Sequence, residues 1–144
     1  MGLTALHWAV KKDFKLMVKL LLEFNASANQ QDNFGRTPLF IAANSGNIQL
    51  VRILIENRAL PGIKSMAGNS SLDVCKVKLY DLKQEAAKLT ELHKSNVAEL
   101  VSLQGKNMDS NDLRLNISYL LKKSIEVKFE QSKFELILKM LQKA

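Results

Sequence analysis

At residues 35–42 the chain reads Gly35-Arg36-Thr37-Pro38-Leu39-Phe40-Ile41-Ala42, and the same kind of phrase occurs 33 residues to either side. A fixed period of this length is typical of stacked helical hairpins rather than of a closed globule. Such repeats present a long scaffold surface and rarely house chemistry. The two matching stretches are Gly2-Leu3-Thr4-Ala5-Leu6-His7-Trp8-Ala9 and Gly68-Asn69-Ser70-Ser71-Leu72-Asp73-Val74-Cys75.

Each full phrase predicts two short helices. Thr37 can cap the first helix of the middle unit, and Pro38 occupies the first helical position, where its missing N–H costs nothing. Gly46 makes the turn to a second helix that is rich in Ile, Leu and Val. In the first unit Thr4 is the equivalent cap, and Asn25 ends the second helix because Asn tolerates the left-handed conformation.

These phrases resemble the ankyrin repeat, over residues 2–31 and 35–64 and, for the opening only, over residues 68–75. The resemblance covers about half the chain. It implies L-shaped repeats whose β-turn fingers and inner helices form a concave surface that binds proteins. We therefore predict ankyrin repeats over residues 1–75, with repeat 1 at 2–34, repeat 2 at 35–67 and a partial repeat at 68–75.

Departures from the ankyrin pattern are also informative. The resemblance assigns His7 a structural role, in which it holds its turn by hydrogen bonds; Phe40 and Asp73 replace it in the later units, so no metal set can be built from it. Asp13 replaces a turn glycine, and Arg58 replaces a glycine that ends a helix, which we expect to strain or loosen the loop at Arg58-Ala59-Leu60-Pro61.

Residues 76–144 predict a coiled-coil-like helical hairpin, with helices at about 76–104 and 111–143. Each helix has an apolar seam at alternating three- and four-residue steps, and the short polar link between them favours antiparallel neighbours. A break near Ser95-Asn96, giving a three-helix tail, is the alternative. The seams, each with two polar interruptions, are Leu79, Leu82, Ala86, Leu89, His93, Asn96, Leu100 and Leu103, and Leu113, Ile117, Leu120, Ser124, Val127, Gln131, Phe134, Leu138 and Leu141.

Composition limits the classes of function. The net charge of +7 is spread along the chain, with 8 basic and 5 acidic side chains in residues 1–75 and 13 and 9 in residues 76–144. We therefore expect no specific nucleic-acid site. Apolar runs are too short to span a membrane, and the absence of a leader predicts the cytoplasm, with the nucleus as the alternative. The single Cys75 is expected to be a small buried residue.

Repeat 1 begins at residue 2, without a finger or a polar cap before it. Since repeat arrays need capped ends and about three units, we expect the chain to be part of a larger one. The alternative is a tail that folds back to stabilise the repeats.

The fold class is therefore an all-α ankyrin solenoid followed by a helical hairpin, and the function a non-catalytic protein-interaction module without cofactor or metal. We expect Phe34 beside Arg36 to anchor a protein partner, and Trp8 to pack between the inner helices. Self-association of the C-terminal helices, which would make the chain a scaffold or oligomerisation element, is the alternative. The candidate partner-binding residues are Lys11, Lys12, Asn33, Phe34, Arg36, Asn44, Ser45, Lys64, Met66 and Asn69.

Overall fold

The computed structural model describes residues 2–103 and 111–144, and in that part of the chain every regular element is an α-helix. This confirms the predicted all-α class. The helices are α1 (Ala5–Lys11), α2 (Lys15–Glu23), α3 (Pro38–Asn44), α4 (Ile48–Glu56), α5 (Ser71–Leu103) and α6 (Asn111–Lys143). Repeat 1 contains α1 and α2, and repeat 2 contains α3 and α4. We call α1 and α3 the inner helices and α2 and α4 the outer helices.

The inner helices begin at the predicted caps. The hydroxyl of Thr4 accepts from the backbone N–H of His7, and the hydroxyl of Thr37 accepts from the backbone N–H of Phe40. Pro38 is the first residue of α3. Asn47 caps α4 through its side-chain oxygen, which accepts from the N–H of Leu50. Each cap satisfies an amide that the first helical turn leaves without a partner.

The repeats stack like on like, with α1 against α3 and α2 against α4. The buried side chains between them come from all four helices, and nearly every one is aliphatic, as expected for a solenoid core. They are Leu6, Ala9, Val10, Val18, Leu22, Leu39, Ala42, Ala43, Leu50, Val51 and Leu54.

Among the described residues, three that are not glycine have a left-handed backbone: Asp13 at φ 58°, Asn25 at 60° and Arg58 at 62°. Asn25 tolerates this conformation, as predicted. Asp13 and Arg58 take the same conformation at positions where the ankyrin pattern has glycine. Asp tolerates this conformation, so the expected strain falls on the loop at Arg58. For an L-residue other than Asn or Asp it costs about 1–2 kcal/mol.

α5 begins inside the partial repeat, at Ser71, and continues without interruption past residues 75 and 76. Ser70 and Asp73 bond reciprocally at its start, where the Ser70 backbone N–H and hydroxyl both donate to the Asp73 carboxylate. The helix is also continuous through Ser95 and Asn96, so the three-helix alternative is wrong. The predicted link, residues 105–110, and the predicted helix end at residue 104 lie outside the described part of the chain.

The chain forms two compact units. The first comprises the chain up to Leu79 together with Lys133–Ala144, and the second comprises Tyr80–Ser132. The end of α6 thus belongs to the same unit as the repeats, as in the fold-back alternative. There Phe134, Ile137 and Leu141 are buried. The predicted division into two domains, at residues 75 and 76, stays a prediction.

The second unit is the hairpin of α5 and α6. Leu89, Leu120 and Val127 form its buried core, with Leu82 and Ala86 packed against them. These are seam positions, so the apolar pattern predicted the core correctly. The side-chain amide of Gln131 donates to the carbonyl of Leu82 at 3.0 Å. The predicted pairing of Leu103 with Leu113 falls on side chains outside the described set.

Candidate protein-binding surface

The first finger is a β-turn that Asp32 organises. The N–H of Gly35 donates to the Asp32 carbonyl at 2.9 Å. The buried Asp32 carboxylate accepts from the N–H groups of Phe34 and Arg36 through Oδ1, each at 2.9 Å, and from the Arg36 guanidinium through Oδ2 at 2.9 and 2.7 Å. Burial opposes ionisation of this carboxyl, but the hydrogen bonds from Arg36 and Phe34 outweigh it and lower its pKa below the ordinary value.

The Phe34–Arg36 pair is assembled within this finger. The Phe34 ring lies over the Arg36 guanidinium, 4.7 Å from ring centre to Cζ, and 52% of Phe34 remains exposed. Because the guanidinium is also paired with Asp32, Arg36 has a structural task that the sequence analysis did not assign to it. Phe34 both packs across its own turn and presents a half-exposed ring.

The second finger repeats the turn without the ion pair. Gly68 donates to the Ser65 carbonyl at 2.9 Å, but serine occupies the position of Asp32 and asparagine, Asn69, that of Arg36. The Ser65 Oγ is buried without a hydrogen-bond partner among the described residues. The predicted residues Lys64, Met66 and Asn69 are exposed here, and Met66 is 79% exposed.

The two fingers are fastened to each other and to the inner helices. The N–H of Met66 donates to the Phe34 carbonyl at 2.9 Å, and the Gln31 side chain donates to the carbonyls of Gly35 and Lys64. A Cβ at Gly35 would lie 2.8 Å from the Met66 nitrogen, so the close approach requires glycine. Two exposed apolar side chains are therefore displayed on a preorganised edge.

His7 connects the first finger to α1. Its Nδ1 lies 2.8 Å from the Thr4 hydroxyl, and its Nε2 lies 2.9 Å from the Arg36 carbonyl. The ring is fully buried. The structural role implied by the ankyrin resemblance is therefore confirmed.

Two shallow depressions meet at Asn44, the last residue of α3. The first, of about 260 Å³, brings together four predicted residues, Lys11, Arg36, Asn44 and Ser45, beside Leu3, Phe40 and Ile41. The second joins Asn44 and Asn69 with Asp73, Val74, Val77 and Lys78. Asn44 lines both, so five of the ten predicted residues share one continuous surface. Asn33 is exposed at the first finger, while Phe34, Lys64 and Met66 line neither depression.

Lys12 lies elsewhere. It lines a separate apolar depression with Trp8, Phe14 and Met17. The expectation that Trp8 packs between inner helices is wrong, because the ring is about half exposed and the ammonium groups of Lys11 and Lys12 lie 5.6 and 5.8 Å from its centre. The signal was in the sequence: lysines three and four residues after a tryptophan share its helix face, where they attract the ring.

Groups that could support chemistry are sparse. Within residues 2–103 and 111–144 no cluster of three His, Cys, Asp or Glu side chains could hold a metal ion. Cys75 is buried, and burial raises the pKa of its thiol to about 11, which leaves it unreactive. No helix in this part of the chain is both long and apolar enough to cross a membrane.

Comparison with known proteins adds sequence relationships to this geometry. Residues 1–65 match the family model described as "Ankyrin repeats (3 copies)". An ADP-ribosylation factor GTPase-activating protein of Arabidopsis thaliana is 36% identical over 72 residues, which is 50% of this chain and 9% of the relative. Neurogenic locus notch homolog protein 1 of Homo sapiens is 48% identical over 58 residues, or 40% of this chain and 2% of the relative.

A palmitoyltransferase of Danio rerio is 40% identical over 62 residues, which is 43% of this chain and 10% of the relative. The chain thus spans a tenth or less of the length of each of these relatives. The matched segments are 58 to 72 residues long, which is about the length of the two full repeats.

Proposed function

From the premise that residues 1–65 belong to the ankyrin-repeat family, we propose that the two fingers and the inner helices form a binding surface for a protein partner and perform no catalysis. Ankyrin repeats are generally protein-interaction modules. The relatives that are named for an enzymatic activity match half of this chain or less and a tenth or less of their own length, so their activities are not transferred to it.

One observation carries the placement of the site. Phe34 and Met66 are large apolar side chains that stay exposed at the tips of two turns joined by the Met66–Phe34 backbone bond. A rigid edge loses little conformational entropy on binding, and aromatic anchors commonly dominate interface energetics. The neighbouring depression supplies a polar rim through Lys11, Asn44 and Ser45.

The exposed half of Phe34 sets the expected magnitude. About half of a phenylalanine surface is ~100 Å², and burying it against a partner is worth roughly 2.5 kcal/mol at ~25 cal/mol per Å². Replacing Phe34 by Ala should therefore weaken binding by roughly 50-fold if a partner covers the ring. Arg36 is left unchanged in this test, because its loss would expose the buried Asp32 carboxylate and disturb the finger.

The experiment is affinity capture from cell lysate followed by mass spectrometry. It compares the intact chain with a finger variant, Phe34→Ala with Met66→Ala, and with a matched tail variant, Leu121→Ala with Ile125→Ala. A protein retained by the intact chain and the tail variant but lost by the finger variant supports the proposal. A protein retained by the finger variant and lost by the tail variant contradicts it.

Self-association through the hairpin is the second candidate function, and a stripe on α6 favours it. Leu121 and Ile125 are exposed and lie one turn apart, so they form an apolar face separate from the seam. Leu120 and Val127, which the seam pattern suggests as targets, are buried in the hairpin core, and polar residues there would unfold it. Light scattering of Leu121→Gln with Ile125→Gln is the test, and an unchanged mass distribution would remove this candidate.

A further inference from the structure

The net charge of the chain is carried by the unit that contains the repeats. The first unit, which is the chain up to Leu79 together with Lys133–Ala144, has 13 basic and 6 acidic side chains, and Tyr80–Ser132 has 8 of each. Divided at residue 75 the same charge is nearly even, because Lys76, Lys78 and the end of α6 are then counted with the hairpin. With +7 on one unit and zero on the other, the repeats have a positive field of their own.

The exposed acidic side chains of the two repeats avoid the inner surface, which we define as α1, α3 and the fingers at residues 31–36 and 64–69. The charged residues in these ranges are Lys11, Asp32, Arg36 and Lys64. Asp32 is buried and paired with Arg36, so it presents no carboxylate to a partner. The exposed acidic residues of the repeats, which lie in the loop after α1 and at the ends of the outer helices, are Asp13, Glu23 and Glu56. The inner surface is therefore cationic.

Two ammonium groups of the inner surface are available to a partner. Lys11 and Lys64 are exposed, and neither forms an ion pair with any residue that the structure describes. Asp73 lines the second depression, but its Oδ2 already accepts from the N–H and the hydroxyl of Ser70. Lys78 lines the same depression and offsets that charge. The acidic group nearest in kind to a competitor is thus internally satisfied.

Apolar and hydrogen-bonding groups accompany these lysines. Leu3, Phe40 and Ile41 line the first depression beside Lys11 and are partly exposed. Asn44 lines it as well and is exposed, and a side-chain amide can both donate to and accept from the backbone of a bound peptide. A depression that is partly apolar and has an ammonium group beside it suits an apolar side chain that is next to a carboxylate.

We propose that the protein partner presents an acidic segment to the inner surface, in which Asp or Glu residues stand next to apolar ones. This rests on the function proposed above and names the chemistry of the partner. Apolar side chains of the segment enter the first depression and cover Phe34 and Met66, while its carboxylates pair with Lys11 and Lys64. Opposite charge steers the encounter, and basic segments are rejected because like charges across an interface are unfavourable.

A nucleic acid fits these groups less well. Single strands bind through aromatic rings on which bases stack, but the Phe34 ring already lies against the Arg36 guanidinium, 4.7 Å from ring centre to Cζ. That guanidinium is in turn paired with the buried Asp32 and is not free to neutralise a phosphate. Lys11 and Lys64 then remain for the backbone, whereas the apolar side chains beside them suit a peptide.

Selection from a library of random peptides displayed on phage, against the 144-residue chain, tests the chemistry of the partner. Peptides that bind the intact chain but not Phe34→Ala with Met66→Ala are ligands of the fingers, and we expect them to be enriched in Asp and Glu beside apolar residues. Finger-dependent peptides of neutral or basic composition would overturn the acidic partner and leave the proposed function standing. If no selected peptide depends on the fingers, both proposals fail.

A matched pair of charge variants gives a second readout. Lys11→Gln with Lys64→Gln removes two charges from the inner surface, and Lys19→Gln with Arg52→Gln removes two exposed charges from the outer helices. By fluorescence anisotropy we expect the first variant to bind a selected acidic peptide about fivefold more weakly, with a shallower dependence of Kd on salt. The second should bind like the parent.

Equal weakening in the two variants would show that only the overall charge matters, and it would overturn the proposal. Circular dichroism should show the same helix content in both variants, because all four positions are exposed. A labelled single-stranded DNA is the competing probe. If it binds at ~0.15 M salt and is lost in the Lys11→Gln, Lys64→Gln variant alone, the inner surface is assigned to nucleic acid instead.

Discussion

Replacing Arg36 by Ala should destabilise the repeats through Asp32 rather than through any partner. The Asp32 side chain is completely buried, and the guanidinium supplies two of its hydrogen bonds, at 2.9 and 2.7 Å. A hydrogen bond to a charged group contributes about 1.5–3 kcal/mol to the free energy of unfolding. Since 35% of the Arg36 side chain is exposed and two backbone N–H bonds to Asp32 remain, we expect a loss of about 2 kcal/mol.

Urea unfolding followed by circular dichroism measures this loss, and Arg52→Ala, an exposed arginine on α4, is the matched control. The control should change the free energy of unfolding by less than ~0.5 kcal/mol. A double-mutant cycle with Asp32→Asn should give a coupling of at least ~1 kcal/mol. If Arg36→Ala unfolds within ~0.5 kcal/mol of the parent, the ion pair does not hold the finger and the reasoning is refuted.

The same pair predicts a pH dependence. The folded-state pKa of Asp32 is lowered from 3.8, against the opposing effect of burial, by hydrogen bonds from Arg36 and Phe34. Its stabilisation is therefore complete above the unfolded-state pKa and is lost as the pH falls through the lower folded-state value. Stability of the parent should decline faster than that of Asp32→Asn below about pH 4. Parallel curves for the two proteins would contradict the assignment.

Three further outcomes follow from single contacts. Arg58→Gly should stabilise the chain by about 0.5 kcal/mol, because relief of a left-handed backbone exceeds the entropy that glycine adds to the unfolded state; a lower melting temperature would contradict this. Phe134→Ala should lower the free energy of unfolding by about 3 kcal/mol, because the ring is buried and packs so closely on Gly46 that a Cβ there would lie 3.2 Å from it. Leu136→Ala, at an exposed position, should lower it far less. Cys75 should react with a thiol reagent at least ~100-fold more slowly in the native chain than in urea, and rapid native labelling would argue against its burial.

Most of the helical framework could be predicted from local pattern. The 33-residue spacing of glycines, the Thr4 and Thr37 caps and the apolar periodicity placed the helices of both repeats and the seam of the hairpin. Predictions that depended on a side chain's surroundings were less secure. Trp8 looked like a core residue because it is large and aromatic, but its ring is about half exposed, with the ammonium groups of Lys11 and Lys12 5.6 and 5.8 Å from its centre.

The candidate site shows the same division. The sequence supplied the ten residues through their positions in the repeat, but it could not show that Lys11, Arg36, Asn44 and Ser45 share one depression, because they belong to different units. Nor could it assign the Arg36 head group to Asp32, since an i, i+4 pair within a turn is set by the turn's backbone rather than by spacing alone.

Sequence alone determined the repeat architecture and the positions of the fingers, because caps, glycine turns and apolar periodicity are local properties that each segment carries by itself. For the tail it left two helices and three helices as alternatives. Tertiary structure decided the rest. It joined Lys133–Ala144 to the repeat unit, continued α5 through the end of the partial repeat, and left Leu16, Leu20 and Phe24 exposed. The physical reason is that burial is a property of what lies opposite a side chain, and residues far apart in sequence supply that neighbour.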